Sequence, residues 1–180
     1  MPMVDGFPMI SKDQGKSMMK KVVGRYSIVK DYPQLIRSLS EGDIATKFVL
    51  PMVEALNWDI YKVTEKGPEV HEKAYREKSD VGKGLPDIIL TSENGTVFVE
   101  VKKPPLGEKG MADLRKYGDA DLIILTSFED LKVCTRSRYK SKVRCELNYK
   151  KYLEKFDHLW KILSNTREAK RTRAAYKARR

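Results

Sequence analysis

Residues 84–104 read GLPDIILTSENGTVFVEVKKP, and Asp87, Glu100 and Lys102 interrupt a run of apolar and β-branched residues there. Asn94-Gly95 is a strong hairpin signal, because a type I′ turn needs φ > 0 at both central positions. With those residues at the turn, Glu93 stands opposite Thr96, Ile89 opposite Glu100 and Asp87 opposite Lys102. Directly opposed residues share a face, and side chains alternate between faces along a strand. Asp87, Glu100 and Lys102 are therefore expected on one face. Ile88, Leu90, Val97, Val99 and Val101 are expected on the other, as core.

Two carboxylates and an ammonium on one patch are costly if buried without partners. They suit a hydrated site for a divalent cation. Mg²⁺ prefers hard oxygen ligands and keeps several of its waters. Asp87, Glu100 and the backbone carbonyl of Val101 are the candidate metal ligands. Lys102 could hold or deprotonate a water, or stabilise charge building on a phosphate oxygen. The competing reading is a plain ion pair, with Lys102 facing Asp87 across two strands.

The elements that must position these residues are legible by period and caps. Ser40 precedes EGDIATKFVLPMVEALNW, with Asp43 as an acidic first-turn residue. Ile44, Phe48, Met52 and Leu56 recur every four residues, which predicts an amphipathic helix. Pro51 inside it predicts a kink or a fresh helical start. Residues 1–16 read as loose, and 17–39 as a short basic helix followed by another at 34–39. WDIYKV (58–63) reads as a strand and 64–85 as a long exposed loop. After the hairpin, 107–118 reads as a helix, 121–127 as an apolar strand and 131–136 as a shorter one. A helix is expected over 146–164, with Tyr149, Leu153, Phe156, Trp160 and Leu163 on one stripe. The end, TREAKRTRAAYKARR, reads as a basic tail. A fully buried strand after a crossover helix implies an α/β fold, a central mixed β-sheet flanked by helices.

The bulk numbers bound the rest. The chain has 180 residues, enough for one domain with a real core. Its formal net charge is +11 and its pI about 9.5, a balance that points to polyanionic partners. No apolar run approaches the roughly 18 residues of a transmembrane helix, so no membrane partner is expected. Cys134 and Cys145 form no CxxC, and only His71 and His158 could assist them, which argues against zinc. Two isolated cysteines fit a reducing, cytoplasmic setting. No GxxxxGK[ST] loop occurs, so no nucleotide-driven motor is present.

Pro86-Asp87 followed by Glu100-Val101-Lys102 resembles the signature of the PD-(D/E)XK nuclease superfamily. The resemblance implies that Asp87, Glu100 and the Val101 carbonyl bind Mg²⁺, for which Mn²⁺ could substitute, while Lys102 assists the attacking water. The likeness is greatest to the N-terminal nuclease domain of type I restriction-enzyme motor subunits and their stand-alone relatives. Glu41, Lys47, Pro51, Leu56 and Asn57-Trp58 match that group's first helix, with Asn57 in place of a glycine. Glu41 then becomes a further acid supporting the metal and the catalytic centre, with Asp43 as its competitor. Tyr117 matches the second helix, but Asp113 stands where a glutamine is common. The resemblance implies a restriction-endonuclease-like core over 40–136, preceded by an extension (1–39) and followed by a C-terminal helix and basic tail (137–180). Archaeal Holliday-junction resolvases share the same plan at similar size and are the main alternative. A basic DNA-binding protein of nuclease fold without catalysis is another.

The implied partner is DNA, and a homodimer would be a natural way to cut both strands. Candidate phosphate contacts are Lys83, Lys102, Lys103, Arg136, Arg138, Lys140, Lys142 and Arg144, with Arg167, Lys170, Arg171, Arg173, Lys177, Arg179 and Arg180 in the tail. Each has a competing reading as an ordinary solvated charge. Tyr139, Trp58 and Trp160 could stack on bases, with core packing favoured for both tryptophans.

Overall fold

The structure is a computed structural model that describes residues 3–4, 7–64, 67–70, 86–107, 120–136 and 141–178. The chain runs β1 (Met3–Val4), β2 (Phe7–Pro8), α1 (Lys12–Lys30), α2 (Pro33–Ser38), α3 (Glu41–Ile44), a π-helical turn (Ala45–Val49) and α4 (Leu50–Ala55). Then follow β3 (Tyr61–Thr64), β4 (Gly67–Val70), β5 (Ile88–Ser92), β6 (Gly95–Val101), β7 (Leu122–Thr126), β8 (Asp130–Arg136) and β9 (Ser141–Asn148). A 3₁₀ turn (Tyr149–Lys151), α5 (Phe156–Leu163) and α6 (Arg167–Ala178) complete it. The main sheet has the order β5-β6-β7-β8-β9. Only β6–β7 is parallel, so the expected mixed sheet flanked by helices is present.

The hairpin forms, but its turn is not the one expected. Ser92 pairs with Gly95 and Thr91 with Thr96, which puts Glu93-Asn94 at the centre. Neither takes the positive φ of a type I′ turn. Gly95 does so instead, at 122°. A Cβ there would also lie 2.0 Å from Asp121 Oδ2, the atom that accepts the Thr96 N–H. The register is thus displaced by two residues, and a shift of two keeps every side chain on its face. Ile88, Leu90, Val97, Val99 and Val101 are all buried, as expected.

Pro51 is accommodated without a break in the helix: Val49 and Leu50 keep right-handed helical backbone angles, and Pro51 is the second residue of α4. Just before it the backbone widens, and the Leu50 N–H reaches the Ala45 carbonyl five residues back. Ser40 caps α3 as expected: its hydroxyl accepts the Asp43 N–H, and the Asp43 carboxylate accepts the Ser40 N–H. Asn57 ends the unit at φ 65°, a left-handed conformation that glycine adopts freely and Asn tolerates better than most. Its Oδ1 accepts the Ile10 N–H and its Nδ2 donates to the Asn165 carbonyl.

Several boundaries differ from the expectations. Helix α1 begins inside the stretch read as loose, under a Ser11/Gln14 capping box. The strand read at 58–63 starts at Tyr61, because Trp58 and Ile60 turn into the core instead. Part of the expected loop, Gly67–Val70, pairs with β3. Residues 146–148 belong to edge strand β9, which leaves the 3₁₀ turn at Tyr149–Lys151 and the α-helix at Phe156–Leu163 within the expected 146–164 helix. The tail is a helix, α6. The helix expected at 107–118 lies outside the described residues apart from Gly107.

One core packs α1, the α3–α4 unit and α5 against the Val97/Val99/Val101 face. At its centre Tyr26 touches Phe48, Phe128 and Tyr149, with ring centroids 4.9–5.1 Å apart. Burying each such ring stabilises by about 2–3 kcal/mol. The other sheet face carries a smaller cluster of Ala120, Ile123, Leu125 and Cys134, with Phe98 and Leu106 against it. No described helix is long and apolar enough to cross a membrane.

Two glycines of α1 should respond oppositely to alanine. A Cβ on Gly15 would meet the Ala55 carbonyl oxygen at 2.4 Å and Trp160 Cζ3 at 2.7 Å, while one on Gly24 meets nothing within 4 Å. Urea unfolding should show Gly15→Ala destabilised by about 1–3 kcal/mol. Gly24→Ala should be stabilised by up to about 1 kcal/mol, the helix-propensity gain.

Candidate active site

Asp87 lies just before β5 and, continuing the ladder one residue beyond Ile88↔Val99, comes opposite Glu100. Its Oδ2 accepts the Val101 N–H at 2.7 Å. That bond ties the carboxylate to the end of β6, where the side chains of Glu100 and Lys102 emerge. Lys102 does not face Asp87 alone across the strands. Its ammonium pairs with Glu100 Oε1 on its own strand. Its backbone N–H donates to the Thr126 carbonyl at 2.9 Å, extending the β6–β7 ladder. The face expected to hold Asp87, Glu100 and Lys102 therefore holds them, through a different set of opposed pairs.

Glu41 starts α3, whose first turns pack against β6. It is close enough for its charge to act on both Asp87 and Lys102. Asp43, its competitor, is engaged elsewhere: it accepts from Ser40 and pairs with Lys47 at 2.8 Å. Those bonds hold the Asp43 carboxyl well below its usual range. The helix-borne acid that senses the site is thus Glu41.

Burial works against charge at this end of the sheet. Glu100 is only 6% exposed. Desolvation is the largest influence on Asp87 and raises its pKa; the Val101 N–H opposes this, and the charges of Glu100 and Glu41 add to it. Desolvation also acts against the Lys102 ammonium. Its bond to Glu100 and the fields of Glu100, Glu41 and Asp87 outweigh that and raise its pKa. Lys102 is accordingly a cation near neutral pH, suited to donating hydrogen bonds and stabilising negative charge.

Three carboxylates around one ammonium leave net negative charge, and carboxylate and carbonyl oxygens are the donors a hard divalent cation takes. The donor set therefore fits Mg²⁺ in kind. Among the described residues, however, no three His, Cys, Asp or Glu side chains close into a single ligand cluster.

The cations expected to meet phosphate divide into two groups. Lys103, Lys142, Arg167, Lys170 and Arg171 are exposed. Arg144 is committed inward, donating to Thr135 Oγ1 and stacking over Tyr176. Lys177 pairs with Asp121. Arg173 is 1% exposed and binds the Ile162, Ser164 and Asn94 carbonyls, so it is a buried clamp and not a phosphate contact. Nothing in the basic tail marks it out; only its place one turn after Ala169 on the buried face of α6 does. Lys83, Arg138, Lys140, Arg179, Arg180, Tyr117 and Tyr139 lie outside the described residues, as does the Arg136 side chain. Trp58 and Trp160 are core residues.

Comparison with protein-family models, with curated proteins and with solved structures finds no match to this chain.

The strained carboxylate has a measurable signature. A carboxyl whose folded pKa is raised holds its proton more tightly in the folded state, so its contribution to stability falls as pH rises from its unfolded value. In metal-free buffer, Asp87→Asn should match wild type in urea midpoint near pH 4 and exceed it at pH 7. A variant less stable than wild type at pH 7 would show that the ionised carboxylate is net favourable there.

Proposed function

We propose that this chain is a metal-dependent DNA endonuclease, a phosphodiester hydrolase of PD-(D/E)XK type with a restriction-endonuclease-like core. The observation that carries the reading is the convergence of Asp87, Glu100 and Lys102 at the paired ends of β5 and β6, fixed by the Val101 N–H on Asp87. Asp87, Glu100 and the Val101 carbonyl would hold Mg²⁺ or Mn²⁺, with Glu41 supporting them from the start of α3. When bound, such an ion supplies Lewis-acid activation of water and neutralises charge on the phosphate. Lys102, held as an ammonium, stabilises the negative charge that builds on a phosphate oxygen as the water attacks phosphorus and the ester oxygen leaves. The thinly solvated ends of the sheet strengthen that interaction. Exposed Lys103 stands beside the carboxylates, while exposed Lys142, Arg167 and Arg171 lie towards the hairpin-turn end of the sheet and add to the general attraction of a chain of net charge +11 for a polyanion.

A second reading, a basic DNA-binding protein without catalysis, draws on two observations. The carboxylates do not close into one ligand cluster, and Glu100 is occupied by Lys102.

The two readings part on supercoiled plasmid and on a four-way junction, each with Mg²⁺ and with EDTA. The nuclease reading expects metal-dependent cutting that falls about 100-fold or more in both Asp87→Ala and Lys102→Ala. DNA shifted but uncut in every lane, alike for wild type and variants, would leave the binding protein. Preference for the junction would favour a resolvase over a restriction-like enzyme.

A further inference from the structure

Among the described residues, three of the four most exposed large apolar side chains fall within eight residues: Ile28 at 64%, Tyr32 at 54% and Leu35 at 43%. They follow one another at one- and two-turn spacing around the corner where α1 meets α2. Tyr32 is fixed there by its backbone, whose carbonyl accepts the Leu35 and Ile36 N–H groups and whose own N–H reaches the Val29 carbonyl. This corner stands at the site end of the sheet. Lys30 pairs at 2.5 Å with Glu129 in the β7–β8 turn, and the same turn begins at Thr126, which holds the Lys102 backbone. After α2 the chain passes directly to Glu41.

The surround is mainly cationic, with exposed Asp31 beside Tyr32 the exception. Lys20, Lys21 and Arg25 are exposed along α1 and Arg37 at the end of α2, and none of them has an ion-pair partner among the described residues. Lys12 and Lys30, by contrast, are paired. An aromatic ring and two aliphatic side chains, flanked by exposed cations, match a strand whose phosphates meet the cations while its bases meet the apolar tip. A second copy of the chain fits less well. Three side chains at a corner cover far less than the about 800 Å² per partner of a stable interface, and the cations would face their own kind.

We propose that the α1–α2 corner binds unpaired bases of a nucleic-acid strand entering the candidate active site, with Tyr32 stacking on a base and Lys20, Lys21 and Arg25 holding the phosphates. This rests on the nuclease reading for the strand's destination, but it is tested without cutting. Fluorescence anisotropy in EDTA would compare a labelled single strand with its duplex. Tyr32→Ala should weaken single-strand binding about tenfold and duplex binding by less than about twofold, while Tyr32→Phe keeps both. Joint Lys20→Glu and Lys21→Glu should weaken both and flatten their salt dependence. Tyr32→Ala binding both forms as wild type does, or losing both equally, overturns the inference. So does a wild-type dimer, seen by light scattering, that Tyr32→Ala dissociates. Tyr32-dependent strand binding without cleavage in Mg²⁺ would sink the nuclease reading alone. Cleavage with Tyr32-independent binding would sink this inference alone.

Discussion

The structure turns on one conflict: carboxylates placed where the fold removes water. Asp87 and Glu100 come together because β5 and β6 must pair, and β6 must also pair with β7, which is buried along its whole length. The same burial that secures the strands raises the energy of each charge at their ends. The arrangement survives through local compensation. The Val101 N–H serves Asp87, Lys102 serves Glu100, and the Thr126 carbonyl fixes the backbone that carries Lys102. Val101 and Thr126 are strand residues, and Lys102 follows β6 directly, with its N–H extending the β6–β7 ladder. The charged face is held by ladder positions, which makes its geometry as stiff as the sheet.

That stiffness extends through the β7–β8 turn. Phe128 adopts φ 63°, an unusual conformation for a bulky aromatic residue. It is held there from both sides, with its N–H on Thr126 Oγ1 and its carbonyl accepting the Tyr152 hydroxyl. Its ring is fully buried among Tyr26, Phe48 and Tyr152. The aromatic core thus reaches directly under the turn that supports the site.

How much of this was legible in the sequence follows from which constraints are local. The shared face of Asp87, Glu100 and Lys102 was readable even though the turn was misplaced, because strand parity is indifferent to a two-residue shift. The Ser40 cap is readable because a cap acts within one turn, whereas the fresh start expected at Pro51 does not occur, the helix widening to a π turn before it and running on. Helix α1 was underestimated because its Lys-rich sequence masks a narrow buried stripe of Gly15, Met19, Val22 and Tyr26. The 146–164 helix was overestimated because an edge strand running into a 3₁₀ turn reproduces part of a helical stripe. The choice of Glu41 over Asp43 depends on Lys47 and Ser40 engaging the latter, a matter of side-chain reach that spacing does not reveal.

Arg173 has a consequence that belongs to the order of synthesis. It holds the Asn94 carbonyl across 79 residues of chain, and Asn165 meets both Ser92 and Asn94 beside it. The β5–β6 hairpin therefore leaves the ribosome well before the residues that fasten its turn. Until α6 emerges, one edge of the sheet, with Asp87 at its far end, lacks its last anchor. On a growing chain the hairpin turn would be fastened last, at the opposite end of β5 and β6 from the acidic centre.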